Sequence, residues 1–300
     1  MEKPELSIII ISYNTAKITV DCINSIIKST KNNKLNFEII LVDNASTDSS
    51  QNQIAKIKDQ NQDLKIKTIY NKNNVGFGPA NNQAVKVAQG EYILFLNSDI
   101  VVLDNAIKKL FDFYKQNQDR INFLGGKLFD KDMTSQASAG PFYSLPVIFA
   151  ALFLKGDYWG LTRYSPNELK KVDWVSGACI LTKKDYYKKL RGFDEGIFLY
   201  MEEIDLLYRA KLNKFTTYFY PDAKFIHIGF ASSGSKSSPI INVYRGFLYL
   251  YKKHFSAQSL FFLKILLKFK ASIAILIGKL TKNRYLEKTY EKALKIIEVV

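Results

Sequence analysis

The chain has 300 residues, 47% of them hydrophobic and 24% charged, which indicates a folded globular protein and excludes a disordered one. Its net charge of +15 suits anionic partners, such as a lipid surface or a phosphorylated substrate. No zinc-finger, helix-turn-helix or RNP-type pattern accompanies that charge, so nucleic acid is not an expected partner. The two cysteines offer no disulfide framework, and the charged start Met1–Glu5 shows no signal peptide, so we expect a cytoplasmic protein.

Apolar runs alternate with segments of helical periodicity through the first hundred residues. The pattern predicts buried strands and intervening helices, in chain order, at Leu6–Ile11 (strand), Thr15–Ser29 (helix), Phe37–Val42 (strand), Lys65–Tyr70 (strand), Pro79–Gln89 (helix) and Tyr92–Leu96 (strand). Strands that alternate with helices predict an α/β fold with a mostly parallel sheet. A strand pattern resumes at Val172–Thr182 after a less regular stretch.

Polar clusters follow three of the predicted strands. They are Ser12-Tyr13-Asn14, Asp43-Asn44 and Asn97-Ser98-Asp99. Because ligands of such sheets bind beyond the carboxyl ends of the strands, we expect one shared site there. Taken singly, each cluster is also ordinary turn chemistry, since Asn, Asp and Ser favour turns.

Three carboxylates crowd into four positions at Glu202, Glu203 and Asp205, within an otherwise apolar run. Acids packed this closely repel one another and lose hydration, which favours a role in binding a cation or polarising a hydroxyl. The alternative is that they only complement the dipole at the start of a helix.

The C-terminal part is the most basic. Residues 252–300 hold 11 Lys/Arg and 3 Asp/Glu, and the segment Leu260–Leu280 is strongly apolar but interrupted by lysines. On a helical wheel Lys264, Lys268 and Lys279 share one side, and the other side is apolar (Phe262, Leu266, Phe269, Ile273, Ile277 and Leu280). This pattern predicts a basic amphipathic helix that lies on an anionic membrane surface, and the alternative is a helix docked on the protein's own core. The Ser/Gly-rich stretch Ser232–Ser238 before it predicts a flexible loop.

Together these motifs resemble the inverting glycosyltransferases of family 2, on the GT-A fold, and most of all the rhamnosyltransferase-like enzymes of surface-polysaccharide assembly. The resemblance covers roughly residues 5–232, in the motifs Ser7–Asn14, Val42–Asp48, Asn74–Asn82, Leu94–Asp99, Trp174–Cys179, Gly192–Glu195, Glu202–Asp205 and His227. It implies a Rossmann-like, mostly parallel central sheet flanked by helices. Residues 1–232 would form the GT-A domain, with a nucleotide-sugar-binding half at 1–100 and an acceptor-binding half at 101–232. Residues 233–300 would form a helical extension associated with the membrane.

The resemblance also implies residue roles. The nucleotide-sugar site would comprise Ser12, Asn14, Asp43, Asn74, Gly76, Phe77, Asn97 and Asp99. A divalent cation, Mg or Mn, would bind Asp99 and His227, which carry ligand types that suit either ion. The metal motif of the family is Asp-x-Asp, whereas this chain has Asn97, so Asn97 is open to contact with the ribose or a metal-bound water instead. The loop at Gly76 and Gly78 would let the backbone approach a phosphate or ribose closely.

On the acceptor side, the resemblance assigns the general base to Glu203, in place of the aspartate of the family. Glu202 is the alternative base, and Asp205 would orient the cluster or cap the following helix. Trp174 and Gly177 would form the wall of the acceptor site, unless Trp174 is simply a core residue.

The expected function is transfer of one sugar, with inversion, from a nucleotide donor to a lipid-linked or polysaccharide acceptor at the inner face of the cell membrane. A uridine- or deoxythymidine-diphosphate donor is favoured by the resemblance, with rhamnose as the first candidate sugar and galactofuranose, glucose and N-acetylglucosamine open. A non-catalytic nucleotide- or glycan-binding module is the alternative. A dinucleotide-dependent oxidoreductase is not supported, since no Gly-x-Gly-x-x-Gly follows the first strand.

Overall fold

A computed structural model describes residues 3–31, 33, 35–229 and 237–299. The strands of these residues are, in chain order, β1 Leu6–Ser12, β2 Phe37–Asp43, β3 Lys65–Tyr70, β4 Tyr92–Leu96, β5 Ile100–Val102, β6 Phe123–Phe129, β7 Ser135–Gln136, β8 Ala139–Gly140, β9 Lys170–Val172, β10 Trp174–Val175, β11 Cys179–Lys183 and β12 Thr217–His227. The helices are α1 Ala16–Thr30, α2 Ser50–Gln60, α3 Phe77–Val87, α4 Ala106–Gln116, α5 Leu145–Phe153, α6 Lys184–Lys189, α7 Glu202–Leu212, α8 Ser237–His254, α9 Ala257–Leu280 and α10 Arg284–Val299.

The central sheet runs in the order β3-β2-β1-β4-β11-β6-β12-β5. Its first four strands are parallel, with Leu6 of β1 beside Phe37 of β2 and Tyr92 of β4. Strand β11 enters antiparallel between β4 and β6, and β12 returns parallel to β6. The predicted α/β architecture, a mostly parallel sheet with helices on both faces, is therefore confirmed.

The alternation of side chains along β1 separates two apolar cores. Ile8 and Ile10 face the cluster covered by α1, α2 and α4, whereas Ile9 faces the cluster beneath α3 and α7. The C-terminal helices join this second cluster through residues such as Leu248 and Leu267. The helices α8 and α9 are thus packed on the same core as the strand ends that precede the candidate site.

Two predicted elements differ in their bounds for identifiable reasons. Helix α3 begins at Phe77 rather than Pro79, because a proline is tolerated in a first helical turn, where its missing N–H has no partner to lose. The predicted strand Val172–Thr182 is divided among β9, β10 and β11. Between β10 and β11 lies a turn in which Cys179 N donates to Ser176 O at 3.1 Å. This break brings Gly177 to the surface of the candidate site.

Helix α9 has two apolar faces rather than one. Its inner face carries the buried Leu263, Leu267, Ala271, Ala274 and Gly278. A Cβ on Gly278 would lie 2.8 Å from Glu287 N, so glycine permits the close approach of α10. The outer face exposes Phe261, Phe262, Ile265, Phe269, Leu276, Ile277 and Leu280. The helix therefore docks on the protein's own core and still presents an apolar surface.

Among the residues that the structure describes, no helix combines the length and the hydropathy that a bilayer crossing demands. The predicted flexible stretch Ser232–Ser238 falls outside the described residues from 232 to 236, and its last two residues open α8.

Candidate active site

The carboxyl ends of β1 and β2 place Ser12, Asn14 and Asp43 beside one another. Asn14 has φ +53°, and its Oδ1 accepts a hydrogen bond from Thr47 N at 2.7 Å, which ties the end of β1 to the loop after β2. Ser12 is fully buried, and its hydroxyl lies 3.0 Å from Thr19 Oγ1. Ser12 therefore supports the start of α1 from beneath rather than lining an open pocket.

Asp43 has one satisfied and one unsatisfied oxygen. Its Oδ1 accepts from Ser46 N and Gln51 Nε2, both at 3.0 Å. Its buried Oδ2 has no hydrogen-bond partner among the described residues. Leaving a buried carboxylate oxygen unpaired is costly, so Oδ2 is an acceptor that no group of the described residues satisfies.

Asn44 organises the loop that contains Asn74 and Gly76. Its Nδ2 donates to Asn74 Oδ1 at 2.8 Å and to Gly76 O at 3.2 Å. Gly76 has φ +91°, and a Cβ there would lie 2.7 Å from Phe198 O. The close approach that the sequence suggested for a phosphate is made instead to the protein's own 193–198 segment, where Phe77 N also donates to Phe198 O at 3.1 Å. Sequence reasoning did not single out Asn44.

At the end of β4, Asn97 and Asp99 meet His227 from β12. His227 Nε2 lies 3.3 Å from Asp99 Oδ1 and 3.3 Å from Asn97 Nδ2. Its Nδ1 lies 2.6 Å from Gln136 Oε1, and because that oxygen can only accept, Nδ1 donates to it while Nε2 faces Asp99 and Asn97. Gln136, which sequence reasoning missed, thus orients the histidine.

This arrangement fits a divalent cation. Two ligands at right angles around an ion at about 2.1 Å are about 3 Å apart, close to the separation of His227 Nε2 and Asp99 Oδ1. The other oxygen of Asp99 accepts from Gly229 N at 3.0 Å, which fixes the carboxylate. In the described part of the chain, no three His, Cys, Asp or Glu side chains gather as a metal cluster, so the pair would need further ligands from substrate or water.

The acidic segment begins helix α7. Tyr200 and Met201 hold left-handed φ values of +69° and +75°, which turn the chain sharply just before Glu202. Glu202 is 5% exposed, and its Oε2 has no hydrogen-bond partner among the described residues. Burial and the neighbouring Glu203 carboxylate raise the pKa of Glu202 well above its ordinary value.

Glu203 is half-buried and lies against Gly177. A Cβ on Gly177 would be 3.6 Å from the Glu203 Cβ, so the glycine leaves room beside the carboxylate. Burial raises the pKa of Glu203, and backbone hydrogen bonds, including one from Gly177, together with the guanidinium of Arg163 oppose that rise. Of the two glutamates, Glu203 is the more exposed.

A chain of contacts connects the acid pair to the histidine. Gly177 is followed by Ala178, whose carbonyl accepts from Asn97 N at 3.1 Å. Asn97 in turn contacts His227. The strand-end residues and the acidic turn, more than 100 residues apart in sequence, therefore border one region.

Trp174 has the core position that the sequence left open as an alternative. It is 2% exposed, and its Nε1 donates to Pro141 O at 2.8 Å, so it does not form an open wall. Asp205 is fully buried, and its carboxylate accepts hydrogen bonds from Arg209 Nε, Lys253 Nζ and His254 Nε2, each at 2.7 Å. Because both oxygens are engaged by the protein, Asp205 is not available to a substrate.

Sequence reasoning missed Gln136 and Arg163, and it placed Asn44 in the Asp43-Asn44 cluster without giving it a role of its own. Arg163 donates through Nη2 to Ala137 O at 3.2 Å and lies over the Trp174 ring, and its charge acts on Glu203. Neither Gln136 nor Arg163 lies in a chemically distinctive motif.

Residues 7–191 match the family profile described as "Glycosyl transferase family 2". The chain is 36% identical over 126 residues to the poly(ribitol-phosphate) beta-glucosyltransferase of Bacillus spizizenii, which covers 41% of this chain and 19% of that relative. It is 26% identical over 216 residues to the N-acetylglucosaminyl-diphospho-decaprenol L-rhamnosyltransferase of Mycobacterium tuberculosis, covering 65% of this chain and 68% of the relative. The chain thus matches only about a fifth of the first relative's length.

Among solved structures, the fold is similar to a mannosyltransferase from Pyrobaculum calidifontis in complex with GDP-Man and Mn2+. The TM-score is 0.59 at 12% sequence identity, over 100% of this chain and 87% of that chain. At this identity the likeness shows the shared fold.

Proposed function

Because this chain belongs to glycosyl transferase family 2, we propose that it transfers one sugar, with inversion, from a nucleoside-diphosphate donor to a lipid-linked or polysaccharide acceptor of the cell surface. The observation that carries the proposal is the partly accessible Glu203 beside the buried Glu202, connected through Gly177 and Ala178 to the Asn97–His227 pair. A single carboxylate at one end and a set of donor-binding groups at the other is what an inverting displacement requires.

In the proposed reaction Glu203 accepts the proton of an acceptor hydroxyl. The oxygen of that hydroxyl bonds to the anomeric carbon in the same step. The bond from that carbon to the donor's phosphate oxygen breaks on the opposite face, and the nucleoside diphosphate departs. A raised pKa strengthens Glu203 as a base, provided that the working pH is high enough to ionise it. Glu202 is the alternative base, but its burial withholds it from a hydroxyl.

The donor would be held at the strand ends. Asp43, whose Oδ2 has no hydrogen-bond partner among the described residues, would accept from the nucleobase, and Asn14, Asn74, Gly76 and Phe77 would complete the donor site. Asp99 and His227, with Asn97 beside them, would hold Mg or Mn, as the Mn2+ of the mannosyltransferase suggests by analogy. A bound cation would neutralise the charge that develops on the departing diphosphate.

We also propose that the protein works at the cytoplasmic face of the membrane. The exposed apolar face of α9 adjoins α5, where the ring centroids of Phe153 and Phe269 are 5.6 Å apart. The segment that follows α5 exposes Tyr158 and Trp159. Aromatic side chains beside a basic segment are typical of proteins that lie in a lipid interface. The net charge of residues 252–300 favours anionic lipid.

The test is a panel of uridine- and deoxythymidine-diphosphate sugars, assayed with Mn for release of nucleoside diphosphate. We expect release from one member of the panel and a loss of about 10²–10⁴-fold in Glu203→Gln, the contribution of a general base. Donor affinity measured by calorimetry should change little in that variant. Glu91→Gln, at a side chain that is 64% exposed, is the matched control. Full turnover by Glu203→Gln would reject this residue as the base, and nucleotide binding without any turnover would favour the non-catalytic module.

A further inference from the structure

A cavity of about 300 Å³ lies between helix α8 and the segment that leads into the acidic turn. Ile197, Phe198 and Leu199 form an apolar wall on one side, and Arg245, Tyr249 and Lys252 of α8 line the other. Its apolar wall leads along the chain through Tyr200 and Met201 into Glu202 and Glu203, the acid pair that the proposed reaction assigns to the acceptor. Phe198 also contacts the proposed donor loop, since its carbonyl accepts from Phe77 N.

The polar wall of the cavity is one face of α8. Arg245, Tyr249 and Lys252 follow one another at helical spacings of four and three residues, so the two cationic side chains are two turns apart, a rise of about 10 Å. Both are exposed. Among the described residues, neither Arg245 nor Lys252 forms an ion pair, since Asp194 and Asp205 pair with Lys253. Asp194 also accepts a hydrogen bond from the Tyr249 hydroxyl on this face, at 3.0 Å. Two cations that form no ion pair of their own, beside an apolar wall, are suited to an amphiphilic anion.

Helix α8 is held in a fixed relation to the acid pair. A Cβ on Gly246 would lie 2.6 Å from Met201 Cγ, so α8 contacts the residue that directly precedes Glu202. Lys253 pairs with Asp194 and, at 2.7 Å, with Asp205. An anion bound at Arg245 and Lys252 would therefore sit at a constant distance from Glu203.

We propose that this cavity binds the phosphate groups of a lipid-linked acceptor, with Arg245 and Lys252 on the phosphates and Phe198 and Leu199 against the first part of the lipid chain. The inference rests on the proposed function and names the acceptor class as a prenyl diphosphate that carries a sugar. An acceptor held this way presents its sugar hydroxyl to Glu203 while its chain runs outward. A polyol-phosphate acceptor would share the phosphate contacts but would leave the apolar wall unused.

The test measures binding of farnesyl diphosphate to the full chain by calorimetry, against farnesol and inorganic pyrophosphate. We expect farnesyl diphosphate to bind more tightly than either fragment, and the double variant Arg245→Ala/Lys252→Ala to bind it about tenfold or more weakly, as loss of charge-assisted contacts implies. Arg245→Lys, which keeps the charge, should retain most of the affinity. The double variant Lys56→Ala/Lys58→Ala, which removes the same charge from the exposed face of α2, should bind like wild type.

Three results would overturn the assignment. The first is equal binding of farnesyl diphosphate and pyrophosphate, which would indicate a polyol-phosphate or free phosphate site. The second is undiminished binding by Arg245→Ala/Lys252→Ala with an unchanged thermal unfolding midpoint. The third is full displacement of farnesyl diphosphate by phosphatidylglycerol vesicles at an equal concentration of phosphate groups. That result would reassign the cavity to the bilayer headgroups. Failure of the proposed function is distinct, because it appears as wild-type protein that releases no nucleoside diphosphate from any donor.

Discussion

Replacing Asp205 by asparagine is expected to destabilise the fold rather than to remove a catalytic group. Burial by itself would raise the pKa of this carboxyl, but hydrogen bonds from His254 and Lys253 and the charge of Arg209 overcome it and lower the pKa to about 2. A tenfold change in an acid constant is worth about 1.36 kcal/mol, so lowering the pKa from 3.8 corresponds to about 2 kcal/mol of unfolding free energy. The amide also leaves the cations without a counter-charge, for which losses of about 3–5 kcal/mol are typical.

We therefore expect Asp205→Asn to lose about 3 kcal/mol in urea unfolding at pH 7. Asp112→Asn is the matched control, since Asp112 forms an exposed pair with Lys108 one helical turn away, and such pairs contribute about 0.5 kcal/mol. The sign of the pH dependence follows from the lowered pKa. The stabilisation is present above the ordinary value of 3.8 and is lost as the pH falls toward about 2, so wild type and Asp205→Asn should converge in acid.

Turnover separates this structural role from a catalytic one. Folded Asp205→Asn, assayed well below its unfolding midpoint, should retain far more donor hydrolysis than Glu203→Gln. An unfolding free energy within about 0.5 kcal/mol of wild type, together with a loss of turnover of about 10²-fold or more, would refute the reasoning, because that combination is the signature of a residue that acts on the substrate.

Three further predictions concern the acid pair, the histidine and the helical surface. Because burial raises the pKa of Glu202 in the folded protein, wild type should lose stability as the pH rises above the ordinary glutamate value of 4.5. Glu202→Gln should remove that pH dependence while losing less than about tenfold in turnover. A loss of turnover equal to that of Glu203→Gln would exchange the two roles. Gln136→Ala should weaken Mn binding by about 10–100-fold, because His227 loses its orienting acceptor. Mn affinity is measured by calorimetry with nucleoside diphosphate present. An affinity equal to that of the exposed-site control Gln60→Ala would show that Gln136 has no such role. The double variant Phe262→Glu/Leu276→Glu should reduce sedimentation with phosphatidylglycerol vesicles by about tenfold or more, since both side chains are exposed on the outer face of α9. The same loss in Leu212→Glu, at an exposed site on α7, would count against a specific lipid-facing surface.

Local chemistry in the sequence determined the sheet and the approximate place of the site. Continuous apolar runs predict strands buried on both faces, and β3 and β4 have the predicted bounds. The polar residues after β1, β2 and β4 could be assigned to one region because the carboxyl ends of parallel strands share an edge. The acid pair was visible because carboxylates in an apolar run are chemically conspicuous.

The partners of those side chains could not be predicted in the same way. Asn97 and His227 are 130 residues apart, and His227 and Gln136 are 91 apart, and no periodicity carries information over such separations. The carboxylates of Glu203 and Asp205 look alike in the sequence. Because the two residues are two positions apart on one helix, their side chains point to different sides: Glu203 faces Gly177, and Asp205 faces α8.

The same limit holds for the C-terminal helices. The composition of α9 by itself determined that the helix is basic and apolar, because both properties are sums over residues. Only the tertiary structure decided that Leu263 and Leu267 face the core while Phe262 and Phe269 remain outside, and that α8 carries a cationic face beside the acidic turn. Which side of an apolar helix is buried depends on the surface that meets it, and that surface comes from strands distant in the chain.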